Sequence, residues 1–258
     1  MLRTPPTDVT AASEGTLFVS SASTGAVFRI AAGVVEQLPF DGQRPYGLVT
    51  LPNGQVCVAH YTSADPLSRR SAVSCWNGAS WVLEAAGIGS GLNGLLATSQ
   101  GLWAVGWRDT DVEQRDGLLT LLVDGEVVEQ VIVPEHFLQF AAELPSGDLL
   151  ISAWLEDASG FTGGRVLRVS AGGSVEVFSE AIERPGGLAV VDEGVWVADH
   201  VVGELVLLSL GGDILARHPG LFGPLGLDPI DGATLCVAES QANRITCLER
   251  VDILGGSR

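Results

Sequence analysis

The sequence predicts an all-β fold: a six-bladed β-propeller with four antiparallel strands per blade, spanning 1–258 as a single domain. Three observations carry this expectation. An entry motif of the form Pro-x-Gly-apolar recurs, with variations, as PTDV (6–9), PYGL (45–48), LNGL (92–95), LQFA (138–141), PGGL (185–188) and PLGL (224–227). Its third positions are Asp8, Gly47, Gly94, Phe140, Gly187 and Gly226, spaced by 39, 47, 46, 47 and 39 residues, close to the period of propeller blades. Glycine is abundant, 33 of 258 residues, and recurs at turn positions between short apolar runs. No segment sustains a 3.6-residue apolar period with caps, so helices are expected to be few.

The units follow in order from these six entries, and unit five shows the pattern in full. Gly187–Val191 is its first strand, Val195–Asp199 its second, Glu204–Leu208 its third and Asp213–Arg217 its fourth. Asp-Glu-Gly at 192–194, Val-Gly at 202–203 and Gly-Gly at 211–212 supply the turns. One such unit cannot bury both of its faces, whereas six in a ring can. Whether the N-terminal segment or Val251–Leu254 completes the outside of the last blade is not readable from the pattern.

Composition limits the function. Asp and Glu number 31 against 14 Arg and no Lys, a net charge of −17. Nucleic acid and anionic membrane surfaces both require a basic face, so neither is an expected partner. The missing lysine removes Schiff-base chemistry and the P-loop lysine. No apolar run is long enough to cross a bilayer, and MLRTPPTDVT lacks the apolar core of a signal peptide. The expectation is a cytoplasmic chain, monomeric by default, with a small-molecule substrate.

Unit five, RPGGLAVVDEGVWVADHVVGELVLLSLGGDIL, and unit six, FGPLGLDPIDGATLCVAESQANRITCLE, resemble blades of the regucalcin/gluconolactonase family and the related NHL, strictosidine synthase and streptogramin lyase propellers. The resemblance spans nearly the whole chain and implies the fold far more than an activity. It also implies a divalent metal held by a Glu near the N-terminus, an Asn in a PNG-like turn and an Asp in a PDG-like turn. Here Thr7 and Asp8 stand where the Glu would be, and the matching turns carry Leu225 and Gly186. Only Asn93 resembles a surviving ligand. A hard cation prefers several carboxylates, so the expectation is no metal and no cofactor.

In this fold the residue before each motif glycine and the end of each second strand share one mouth of the channel. The first set reads Thr7, Tyr46, Asn93, Gln139, Gly186 and Leu225; the second reads Ser21, His60, Trp107, Trp154, Asp199 and Glu239. The second-to-third-strand segments at 61–71, 108–117 and 155–164 are long, which suggests a wall or lid on one side. His60 titrates near ~6.5 when unperturbed and comes from the blade opposite Asp199, so the pair is expected to move protons across the mouth. Glu239 stands one blade on, and two inward-facing acids would raise one pKa; alternatively Asp199 and Glu239 build a different metal site, or merely brace turns. Tyr46 is placed to donate to a developing oxyanion. Asn93 and Gln139 are expected to orient a polar group, with His136 and Ser21 on the same face. Trp107 and Trp154 are expected to hold an apolar or cationic ligand by stacking or cation–π contact, or else to plug the channel. Trp103 and Trp196, mid-strand, read as core. His200 is expected to point away from the axis, and His218 to be structural.

Several motifs are set aside. GSGLNG (89–94) matches a dinucleotide-binding spacing but opens a strand instead of a helix. Cys57 and Cys236 fall on second strands and Cys75 and Cys247 on third strands. Cys236 and Cys247 could face each other across SQAN, but buried thiols are expected in a cytoplasmic chain. The leading functional expectation is a metal-independent enzyme performing acid–base chemistry (a cyclisation, isomerisation or elimination) on an apolar or polycyclic substrate, in specialised metabolism. The alternatives are a gluconolactonase-like metal-dependent hydrolase and a non-catalytic NHL-like binding or scaffold propeller.

Overall fold

A computed structural model describes residues 2, 4–63, 70–109, 115–157, 160–230 and 233–250. Six antiparallel sheets follow one another along the chain, each with its strands in sequential order from the inside outward. Blade one is Asp8–Ala11, Leu17–Ser21, Ala26–Ala31 and Val34–Leu38; blade two is Leu48–Thr50, Val56–Tyr61, Ser71–Trp76 and Trp81–Ala86. Blade three is Gly91–Thr98, Gly101–Asp109, Arg115–Val123 and Glu126–Val133; blade four is Phe137–Glu143, Leu149–Asp157, Gly160–Val169 and Val175–Ser179. Blade five is Pro185–Val191, Gly194–Asp199, Glu204–Leu208 and Ile214–Pro219. Blade six has three strands among the described residues, Pro224–Pro229, Thr234–Glu239 and Arg244–Glu249. The expected six-bladed propeller is the observed fold. Helix is scarce among the described residues, with one short 3-10 turn at Ser13–Gly15.

The core is distributed over the seams between blades. An apolar cluster fills each seam: Phe18, Val27, Val56 and Val58 join blades one and two; Trp103, Leu119, Leu138 and Ile151 join three and four; Trp196, Leu205, Leu227 and Leu235 join five and six. Trp103 and Trp196 are buried, as expected of core residues. The ring closes where Leu2, Val9 and Val19 meet Cys236 and Ala238. The chain enters blade one through Asp8–Ala11 as its innermost strand, and no described residue before it forms a strand of blade six.

The motif glycines have a steric cause. Inner strands converge on the axis, and a Cβ at Gly47 would strike the backbone of Asn93 and Gly94; one at Gly94 would strike Gln139 O, and one at Gly226 would strike Asp8. Phe140 and Asp8 occupy the same repeat position in the two blades that lack the glycine.

The cysteines depart from expectation. Cys57 lies directly opposite Cys75, and Cys236 opposite Cys247. Both pairs are disulfides with Cα atoms 4.0 Å apart. Adjacent second and third strands put such pairs side by side, so bridging needs no chain displacement. Thiol titration of the unreduced, denatured protein is expected to find no free cysteine, and to find four after reduction; four at the outset would contradict the pairing.

The expected lid segments lie partly outside the described residues, at 64–69, 110–114 and 158–159. What is described in blades three and four is a pair of lengthened hairpins, whose ladders run out to Asp109 opposite Arg115 and Asp157 opposite Gly160.

Candidate functional site

The inner strands enclose an axial cavity of about 270 Å³, lined by residues from all six blades, Asp8, Leu48, Leu95, Phe140, Leu188 and Asp228 among them. Two carboxylates tie the ring here. Asp8 accepts the N–H of Val9 at 2.9 Å and of Leu48, one blade on, at 2.7 Å. Asp228 accepts Ala11 N–H at 2.7 Å across the closing seam. Burial pushes Asp8 well above the usual carboxylate range; its backbone bonds oppose the shift and the charge of Asp228 adds to it. Burial pushes Asp228 up to about 6, against the bonds from Ala11 and Thr10.

This has a consequence for stability. An unfolded Asp releases its proton near ~3.9, whereas folded Asp228 holds it to about 6. Between these values the folded chain binds more protons, so this contribution is complete below the lower value and is lost as pH rises through the upper one. His60 and His200, both lowered by burial, act in the opposite sense. The Asp228 part is therefore isolated by Asp228→Asn. From pH 7.5 to 5 the wild type is expected to gain about 1.4 kcal/mol relative to the variant, read by denaturant titration. Parallel pH profiles would contradict this.

The imidazole–carboxylate pair expected across the mouth does not assemble. A blade is a radial sheet, and its second-strand side chains stand normal to it, toward the neighbouring blade; only the inner strand borders the axis. His60 is thus buried in the seam between blades one and two, its ring edge-on to Phe40 at 5.1 Å. Nδ1 donates to Tyr61 O at 2.9 Å, and Nε2 accepts from Ser74 Oγ at 2.8 Å. Burial lowers its pKa, against the pull of the Tyr61 carbonyl. Both nitrogens are engaged in structure.

Asp199 and Glu239 do the same job one blade apart. Asp199 accepts Glu183 N–H at 2.9 Å and the N–H groups of Val201 and Val202 at 3.3 Å each. Glu239 accepts Phe222 N–H at 2.8 Å, binds Arg244 through both oxygens at 2.6 and 3.0 Å, and accepts from Thr246. Glu183 and Phe222 each stand two residues before the motif proline, so each carboxylate pins the entry of its own blade. Burial works to raise the Glu239 pKa, but Arg244, Thr246 and Phe222 N–H outweigh it and hold it low. Glu239 is therefore an ionised brace, not a raised general acid.

The other expected residues divide. Ser21 Oγ donates to Pro5 O at 2.8 Å, and Asn93 Nδ2 donates to Leu138 O at 2.7 Å; both hold the backbone. Tyr46 Oη accepts from Arg44 at 2.8 Å. His136 Nδ1 donates to Pro134 O at 2.6 Å. Among the described residues, the buried His136 Nε2 and Gln139 Nε2 have no hydrogen-bond partner.

Trp107 and Trp154 belong to a larger array on the same face. The ring of Trp107 lies 4.4 Å from that of Phe137, and Phe137 lies 6.2 Å from Trp154 and 5.6 Å from Phe161. Phe161 meets Trp154 edge-on at 5.0 Å, and His200 lies nearly parallel to Trp154 at 6.5 Å. Tyr61 extends the row from Trp107 at 6.5 Å. Tyr61 is buried, and the other members are partly exposed. Their positions follow from pairing: Phe137 opens an inner strand directly opposite Trp154, and the Trp107 indole covers Gly91, where a Cβ would strike it. Trp154 Nε1 is fixed by Pro185 O at 2.7 Å. His200 Nδ1 donates to Pro224 O at 3.3 Å; the carbonyl can only accept, so Nε2 keeps the lone pair. Burial and the charge of Arg184 lower the His200 pKa, against the carbonyls of Pro224 and Gly223 and the charge of Asp199. The result is a neutral imidazole at the end of an aromatic row.

No three His, Cys, Asp or Glu side chains form a metal-binding group among the described residues. No protein-family model matches the sequence, and no curated protein matches it. Solved structures do match in shape. A protein provisionally described as a gluconolactonase superposes with a TM-score of 0.70 at 18% identity, covering 95% of this chain and 88% of its own. Regucalcin from Agrobacterium tumefaciens, described as calcium-binding, gives 0.68 at 14%, covering 92% and 82%. Virginiamycin B lyase from Staphylococcus aureus gives 0.63 at 13%, covering 95% and 81%. By fold the chain stands with these propellers. At such identities the likeness concerns architecture, and the site has to be argued from its own residues.

Proposed function

We propose that this propeller is a small-molecule enzyme whose substrate lays a flat, apolar face on the row from Trp107 to Trp154. The reaction would be a proton transfer that drives a cyclisation, isomerisation or elimination. The observation that carries this reading is the row itself. Four aromatic rings from two blades, with an imidazole from a third, lie partly exposed at stacking distances. Rings that only plugged a channel would be buried; these retain accessible faces that can take another flat group. His200 replaces His60 as the base, since its Nε2 lone pair and lowered pKa suit it to accept a proton near neutral pH. Tyr46, steadied by Arg44, and the free amide of Gln139 would orient polar groups.

Trp107, Trp154 and His136 remain proposed ligand contacts, and no cofactor is required by these roles. The two disulfides favour an oxidising compartment over the cytoplasm. A metal-dependent lactonase reading rests on the axial carboxylates, but both Asp8 oxygens already accept backbone N–H groups.

The test uses neutral 2-naphthamide, followed by tryptophan quenching. Phe137→Ala is expected to weaken its binding roughly tenfold, and added chelator to leave it unchanged. Unaltered affinity in the variant would remove the row from the site. A binding-only propeller would show the same affinities with no compound turned over.

A further inference from the structure

We infer that the ligand of the aromatic row is a planar acid whose carboxylate is held by Arg184; this rests on the reading of the row above. Arg184 stands just before Pro185 at the entry to blade five, partly buried. Its guanidinium carbon lies 5.3 Å from the Trp154 ring centre and 5.4 Å from that of Phe161. These contacts engage its charge but none of its N–H groups. Among the described residues its guanidinium makes no hydrogen bond and no ion pair.

Six other arginines set the contrast. Arg29, Arg108, Arg165, Arg168, Arg217 and Arg244 each meet a carboxylate. The chain carries 31 acidic residues against 14 arginines, so carboxylates are plentiful, yet among the described residues none reaches this guanidinium. A guanidinium offers five donors in a planar fork that matches a carboxylate bidentately. Here that fork is fixed by two rings and left unfilled.

The neighbourhood agrees in sign. The charge of Arg184 acts on His200 and helps keep it unprotonated, so the cation and the base sit side by side without competing for the same anion. Trp154 Nε1 is already spent on Pro185 O. The geometry thus points to a flat ring system over Phe137 and Trp154 with its acid group at Arg184.

The experiment titrates 2-naphthoate and 2-naphthamide, which share a ring system and differ in charge, with tryptophan quenching as the readout. The wild type is expected to bind the acid at least about tenfold more tightly, and added salt to narrow that gap. Arg184→Gln is expected to abolish the preference while leaving the amide affinity in place. Arg184→Lys, which keeps the charge and loses the fork, should fall between, and serves if the Gln variant does not fold. Equal binding of both probes to the wild type, or a preference that survives Arg184→Gln, would overturn the assignment and leave the row intact as a site. Failure of both probes to bind, or binding of both unaffected by Phe137→Ala, would overturn the row itself.

Discussion

Glu239→Ala is expected to cost about 1–3 kcal/mol of folding stability, because it replaces a buried side chain and removes in one step the acceptor shared by Phe222 N–H, Arg244 and Thr246. The carboxylate is fully buried and serves Phe222 N–H, Arg244 and Thr246 at once. Phe222 leads into Pro224, the first residue of the blade-six inner strand, so the damage falls on the blade that closes the ring. For a chain of this size the loss corresponds to a melting-temperature drop of about 5 °C. Calorimetry at pH 7 reads it. A drop under about 2 °C would mean that the blade entry is held by something else.

His200→Ala is expected to leave binding of 2-naphthamide within about threefold of wild type. On any flat polycyclic compound the wild type converts, it is expected to lower turnover by about 10²–10⁴-fold, the usual range for a lost general base. His60→Ala should behave in the opposite way. It opens a hole against Phe40 and leaves Ser74 Oγ without its acceptor, lowering stability by about 1–3 kcal/mol with turnover intact. Kinetics and denaturant titration of the two variants side by side separate the roles. A turnover loss confined to His60→Ala would return the base to the buried seam.

The fold was legible because its determinant is repetitive. Where inner strands converge, four of the six blades need a glycine at the same repeat position, so Gly47, Gly94, Gly187 and Gly226 mark the period directly. The unit-five strands were readable to within two residues for the same reason. The site was legible only in part. The ends of second strands mark Trp107 and Trp154, but His60, Asp199 and Glu239 at the equivalent places do not face the axis. A sheet directs side chains to its two faces, and in a radial blade those faces meet other blades, so these three became seam and turn braces.

The missed residues had a signal. Phe137 and Arg184 both stand three residues before the motif's third position, and Arg44 occupies that place in blade two. Reading this offset across all six units would have placed Phe137 and Arg184 at the mouth. His200 was set aside by strand alternation, although it stands in the turn after the strand, where alternation no longer applies. The disulfides were obscured by the assumed compartment. Position alone put Cys236 and Cys247 opposite one another, and the same argument holds for Cys57 and Cys75.

The most direct test of the account is a crystal structure of the protein grown with 2-naphthoate. The bicyclic ring should lie against Phe137 and Trp154, with its carboxylate within hydrogen-bonding distance of Arg184. A molecule seated instead in the axial cavity beside Asp8 and Asp228, with the aromatic face bare, would contradict it.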